Sequence, residues 1–190
     1  MTADPDLPAV LRPVWDALDA ATSRRTPFTL GALATVAPDG SPGVRSVILR
    51  DWDPGQGVLG FATDERSAKV REVRAEPRVA LVLWDDDAQV QVRLGGRATV
   101  VADPAERWRR WQGLGPRTRR GYATTTAPGA AVDPDAGVGQ DDDGAAWFDR
   151  FAWVEVVVDH VDRLDLSADP HDRAVADRGA EGWLARRVAP

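Results

Sequence analysis

Residues 45–97 read RSVILRDWDPGQGVLGFATDERSAKVREVRAEPRVALVLWDDDAQVQVRLGGR. Two β-rich runs, 44–49 and 58–63, come before a short helical stretch, 67–75, that Pro77 stops. Two further β-rich runs follow at 79–84 and 88–94. Basic and hydroxyl side chains fall at the ends of these elements: Arg45, Arg50, Thr63, Ser67 and Lys69. Lys69 is the single lysine of the chain. A serine at a helix N-cap with a cation in the first turn is an anion site, because free N–H groups and the helix dipole face the same way.

On the N-terminal side, Leu7, Val10, Leu11, Val14, Trp15 and Leu18 recur at helical spacing, which predicts an amphipathic helix over 7–21 capped by Asp4 or Asp6. Residues 29–37 read as a strand. The turn 38–42 contains Asp39-Gly40, a strong hairpin signal, and 43–50 is the return strand. Alternation puts Arg45, Val47 and Leu49 on one face and Ser46, Ile48 and Arg50 on the other. The two arginines therefore cannot grip one small group together unless the strand bends or bulges. Residues 51–55 read as a second turn.

On the C-terminal side, an acidic turn, 85–87, leads into a long strand, 88–101. Here Gln89, Gln91 and Arg93 alternate with Val90, Val92 and Leu94. Gly95-Gly96 in its middle marks a bulge or a close approach of another backbone or a ligand. Pro104 opens a helix of about ten residues, with Trp108 and Trp111 packed inward beneath an arginine face; Arg117, Arg119, Arg120 and Tyr122 follow. Residues 123–146, rich in Gly, Ala, Asp and Pro, read as a mobile surface loop. Strands at 148–158 and 161–166, joined through Asp159-His160, precede a last hairpin turning near 179–182. Seven or eight strands with two or three outer helices, and no βαβ rhythm, predict one mainly β, α+β domain over 1–190, a closed antiparallel barrel.

Composition narrows the chemistry. No cysteine is present, so disulfides, thiolate nucleophiles and zinc ribbons are excluded, and two histidines make a multi-histidine metal centre untenable. A net charge of −6 argues against general nucleic-acid affinity. No apolar run approaches bilayer length and the N-terminus lacks a leader pattern, so a cytoplasmic location is expected.

The ordered landmarks Arg45-x-Val47-x-Leu49-Arg50, Thr63-x-x-x-Ser67-x-Lys69, Trp84, Gln91-Val92-Arg93-x-x-Gly96, His171-Asp172-Arg173 and the closing Arg187-Val188-Ala189-Pro190 resemble the pyridoxamine 5′-phosphate oxidase-like, FMN-binding split-barrel family. Trp15, the run Leu33-Ala34-Thr35-Val36, Asp39-Gly40 and Pro42 look most like a subgroup of uncharacterised flavin-binding relatives rather than the vitamin-pathway oxidase.

The resemblance implies an FMN-dependent oxidoreductase acting on a small molecule, built as a homodimer that shares each flavin across its interface. Arg45 and Lys69, beside Ser67 and Ala68, would take the phosphate. Val47, Ile48, Leu49, Arg50, Ala62 and Thr63 would run along the ring and ribityl chain, with Gln91 and Arg173 reaching the ring. Arg117, Arg120, Tyr122 and His171 are substrate candidates. The redox chemistry is the cofactor's, so no catalytic side chain and no metal is assigned.

Three departures stand against the true oxidase. Ala68 replaces a second phosphate-binding cation, Leu164 a flanking tryptophan and Asp169 an arginine. The oxidase's Ser-x-Gln-Ser segment has no clear counterpart. A deazaflavin reductase, and a non-catalytic flavin- or haem-binding barrel with His160 or His171 as axial ligand, are the alternatives on the same scaffold.

Overall fold

The computed structural model describes residues 8–135 and 137–190. Leu7 and the expected caps Asp4 and Asp6 lie outside the described residues. The first helix, α1 (Arg12–Ser23), starts later than its periodicity suggested, with Pro13 in its first turn and Leu11 at the N-cap making no side-chain bond. Its buried residues, Val14, Trp15, Leu18 and Ala21, recur at three and four, the spacing of one helix face. Trp15 packs edge-on against Trp52 at 5.1 Å and Trp183 at 5.4 Å, and its indole N–H donates to Pro54 O at 3.2 Å.

Strands β1 (Leu30–Val36) and β2 (Pro42–Asp53) form the predicted hairpin, with Leu30 opposite Ile48 and Val36 opposite Pro42. The turn needs Gly40, whose φ is +84°. Near its end β2 bulges between Leu49 and Asp51. Inward positions accordingly change from Val47 and Leu49 to Trp52, which is 6% exposed. The expected turn at 51–55 is thereby corrected: the strand continues to Asp53, residues 54–57 turn, and β3 (Val58–Asp64) follows. Next come α2 (Ala68–Ala75), capped by Ser67, and β4 (Arg78–Asp85).

The following strand, β5 (Val90–Val100), begins later than expected, because Gln89 adopts φ +53° in the turn. Gln89 therefore does not belong to the polar face that Gln91 and Arg93 share. Helix α3 (Pro104–Gln112) is capped by the Asp103 carboxylate, which accepts from the amides of Ala105 and Glu106. Trp111 is buried, but Trp108 is 47% exposed and rests edge-on against Phe148, so one tryptophan faces inward rather than two.

Two short helices were not anticipated, α4 (Pro116–Arg120) and α5 (Gly144–Asp149). Neither is long enough to show a helical period. Phe148 consequently sits on α5, and the strand after it starts at Phe151.

That strand, β6 (Phe151–Asp165), runs unbroken through Asp159-His160, where a joint between two strands was expected. Gly95 pairs with His160 and Gly96 with Val158, so Asp159 is the extra residue of a bulge. A Cβ on Gly96 would stand 2.2 Å from Val157 O, so a close approach of backbone to backbone requires glycine there. Finally β7 (Asp172–Gly179) and β8 (Gly182–Val188) form the last hairpin, as expected.

All pairings are antiparallel, in the order β3-β2-β1-β4-β5-β6-β7-β8, and β3 also pairs with β6. Six strands thus close into a barrel, with β7 and β8 continuing from β6 beyond it. Leu33, Leu49, Leu59, Phe61, Leu81, Leu94, Val154 and Val156 fill the interior beneath α1. A second cluster of Trp111, Leu114, Tyr122, Phe151 and Trp153 fastens α3 and α4 to the start of β6. No helix among the described residues is long and apolar enough to cross a membrane.

Candidate functional site

Alternation along β2 sends Val47 and Leu49 into the core and leaves Ser46, Ile48 and Arg50 on the outer surface. There they meet Ala62, Thr63 and Asp64 of β3, and Lys69 from the first turn of α2. Tyr122, residues between Thr124 and Val132, and Val138 form another wall. Together they enclose a cavity of about 550 Å³, within the size range of cofactor pockets.

At one end Lys69 Nζ donates to Thr63 Oγ1 at 3.0 Å. Burial, and then the neighbouring Arg45 guanidinium, push the Lys69 amine below its usual 10.5. Both causes disfavour a charge that an incoming anion would restore. Ser67, at the N-cap of α2, is buried with its hydroxyl 3.5 Å from Thr63 Oγ1 and makes no side-chain bond to the helix amides. The α2 amides of Ala68 and Lys69 donate to no acceptor among the described residues, as expected of a helix start.

Arg50 lines the cavity and forms no ion pair with a described residue. The Tyr122 phenol is pushed far up by burial, which keeps it neutral.

Arg45 lies near Lys69 but does not line the cavity. Its guanidinium donates to Glu72 at 2.6 Å and to the Thr35 hydroxyl, and Thr35 in turn donates to Glu72 at 2.5 Å. Burial alone would raise the Glu72 carboxyl, but the Thr35 bond and the Arg45 charge outweigh it and hold the pKa below the usual value. Arg45 is therefore committed to an internal ion pair, one helical turn beyond Lys69. Glu72 escaped sequence reasoning, although its i,i+3 spacing from Lys69 on a short helix was a usable signal.

The remaining candidates divide. Leu49 is a core residue, while Val47, also in the core, touches the cavity wall. Ala68 is exposed. Gln91 pairs with Leu164, and Leu164 with Arg173, in one row across β5, β6 and β7. Ala62 pairs with Trp153 of the same β6. The two positions on β6 are eleven residues apart, about 36 Å of strand contour at ~3.3 Å per residue. Within one chain, Gln91 and Arg173 do not meet the cavity.

Arg173 is itself paired with the buried Asp162 at 2.8 and 3.0 Å, and Arg93 joins the same carboxylate. The Arg173 bond holds the Asp162 pKa below the usual value despite burial. Asp162 also went unnoticed in the sequence.

Arg117, Arg120 and His171 are exposed and do not line the cavity; Tyr122 does. His160 lies within β6, with Nδ1 2.6 Å from Asp177. The arginine-rich α3 is internally neutralised: Arg109 and Arg110 bind Glu106, Arg110 also reaches Asp51 and Glu155, and Arg107 donates to Phe151 O.

Two roots hold the wall segment. Arg66 donates to the carbonyls of Thr124 and Thr125, at 2.9 and 2.7 Å. Arg150 donates to Tyr122 O and Ala123 O and pairs with Asp141.

Comparison with known proteins agrees with this architecture. Residues 12–102 match the model of the pyridoxamine 5′-phosphate oxidase FMN-binding domain. A pyridoxine/pyridoxamine 5′-phosphate oxidase of Microcystis aeruginosa is 41% identical over 71 residues, 37% of this chain and 32% of that protein. The Thermosynechococcus vestitus oxidase is 34% identical over 112 residues, 53% of this chain and 52% of that protein. The chain thus spans between about a third and a half of the length of these curated relatives.

Among solved structures, a pyridoxamine 5′-phosphate oxidase-related FMN-binding protein from Nostoc punctiforme superposes with a TM-score of 0.82 at 22% identity, over 100% of both chains. PhzG from Burkholderia lata, in complex with tetrahydrophenazine-1-carboxylic acid, gives 0.74 at 22% identity, over 98% of this chain and 94% of that one. At such identities the superpositions establish the barrel alone. Residues 12–102 thus match the pyridoxamine 5′-phosphate oxidase FMN-binding domain, and the closed six-stranded barrel is the split-barrel fold of the related solved structures.

Proposed function

We propose that this protein is an FMN-dependent oxidoreductase that works as a homodimer. The observation that carries the reading is the convergence of Lys69, Thr63 and the start of α2 at one end of a 550 Å³ cavity whose side wall holds the uncommitted Arg50. A half-buried amine beside free helix amides suits a phosphate, and the neutral wall of Ile48, Ala62 and Tyr122 suits a flat heteroaromatic ring. Bound flavin would supply hydride transfer at N5 to or from a small substrate. The residues of this chain would hold its phosphate, orient the ring and, through Arg50, favour negative charge on its polar edge.

Support for the dimer comes from the outer surface of β2, β1 and β4. Val44, Ile48, Leu30, Val82 and Trp84 are 68, 41, 52, 38 and 38% exposed. Pairing brings Leu30 beside Ile48, and Ala32 between Ser46 and Val82. An exposed apolar sheet face of this kind marks an interface. Ile48 belongs both to this face and to the cavity, so a second copy seated there would border the flavin. Its Gln91–Arg173 row could then complete the site that one chain leaves open.

The test is the visible spectrum of the purified protein, followed by FMN titration of any colourless fraction. The expected result is a two-banded flavin spectrum, or saturable uptake of about one FMN per chain as two shared sites require. Protein that ignores FMN would overturn the reading.

Affinity should also depend on pH. FMN binding is expected to strengthen as the phosphate loses its second proton near pH ~6. It should weaken again in the alkaline range, starting below the 10.5 of an ordinary lysine, because Lys69 with its lowered pKa gives up its charge early. Titration calorimetry between neutral and alkaline pH reads this directly.

A further inference from the structure

A second cavity, of about 420 Å³, shares no residue with the first. It lies where the C-terminal half of α1 passes the short 3-10 turn at Pro27–Thr29 and the β4–β5 turn. Its floor is apolar: Ala17, Pro27 and Val90 line it, over Val14, Phe28 and Val92 of the main core. Protein interiors are otherwise packed to crystal-like density, so an open apolar volume continuous with the core is a place for a guest.

The rim is basic. Arg163 is neutralised by Asp165 at 2.7 Å and Asp172 at 3.6 Å. Arg24 and Arg25 line the mouth, are exposed, and form no ion pair with a described residue. The one rim carboxylate, Asp85, already accepts from the Ala88 amide at 3.0 Å.

We propose that this cavity binds a small organic anion with a flat apolar body. The body lies against Ala17, Pro27 and Val90, and the carboxylate sits between Arg24 and Arg25. An inorganic anion would leave the apolar floor uncovered, and a neutral hydrocarbon would leave the two guanidinium groups unanswered. The volume falls in the range of small-molecule sites.

The probe is 2-naphthoate, titrated calorimetrically into the full-length protein pre-saturated with FMN, with 2-naphthol and inorganic phosphate as comparisons. The expected result is saturable uptake of one 2-naphthoate per chain, at least tenfold weaker binding of 2-naphthol, and no competition from phosphate. An Arg24→Ala/Arg25→Ala variant, altered only at exposed positions, should lose at least tenfold in affinity. An Ala17→Trp variant, checked by circular dichroism for folding, should lose uptake altogether by filling the space.

A Lys69→Ala protein should bind the probe as the parent does, so failure of the flavin reading would leave this result standing. Absence of saturable uptake, or uptake undiminished by the arginine pair, would overturn the proposal. So would uptake that disappears with Lys69→Ala, which would assign the probe to the other cavity.

Discussion

In a Lys69→Ala variant we expect FMN affinity to fall about ten- to a hundredfold with little change in folding stability. Lys69 offers the phosphate a charge-assisted bond, worth roughly 1.5–3 kcal/mol, and each 1.36 kcal/mol is a factor of ten. Removing the amine strands no buried partner, since Thr63 Oγ1 keeps a neighbouring hydroxyl in Ser67 at 3.5 Å. A Lys69→Arg variant keeps the charge but not its compact shape, so recovery should be partial. FMN titration followed by flavin fluorescence measures all three proteins. Unchanged affinity in Lys69→Ala would move the phosphate elsewhere.

Arg45→Ala should behave in the opposite manner, with its largest effect on the fold. The residue looks like a phosphate ligand in the sequence, yet it is the counter-ion of Glu72, whose carboxylate is mostly buried and also bonded to Thr35. Removing Arg45 leaves that carboxylate without its cation. Breaking such a pair costs about 3–5 kcal/mol in a dry interior, and about 2–3 kcal/mol is the expectation where Arg45 retains some solvent access. Urea denaturation of Arg45→Ala, Glu72→Gln and the double variant reads the coupling. The double variant should recover much of the loss, because a neutral amide tolerates burial better than an unpaired charge. Additive losses would show that the pair contributes no coupling.

Glu72→Gln carries a second expected readout. It releases Arg45 one helical turn from Lys69, where it can turn toward the phosphate, so FMN affinity should rise in that variant and in no other of the set.

Sequence reading recovered the elements that carry their own punctuation. Asp39-Gly40 fixed the first hairpin, Pro77 stopped α2, and Ser67 marked its N-cap, since each signal lies within a few residues of the structure it dictates. What was missed depends on partners distant in the chain. Asp159-His160 reads as a joint between strands, but Gly95-Gly96, more than sixty residues earlier, accommodates the extra residue and lets β6 run on. Arg45 acquires its carboxylate 27 positions away. Arg173 finds Asp162 eleven positions back, across a strand pair whose register no local pattern specifies. The candidate site divided for the same reason: its residues are ordered along the chain, but the barrel separates the β2–β3 group from the β5–β7 row.

The chain's choice of ionisable groups gives the half-buried lysine an unusual standing. Every other side-chain cation at alkaline pH is an arginine, which keeps its proton beyond any ordinary assay. Cysteine is absent and the single tyrosine, Tyr122, is displaced upward by burial. Lys69 is consequently the one side-chain cation whose hold on its proton is weakened, by burial and then by Arg45. An alkaline acid–base titration of this protein, which in most proteins averages over a dozen overlapping amines, has here a single side-chain amine to resolve from the α-amine, at the Thr63 end of the cavity.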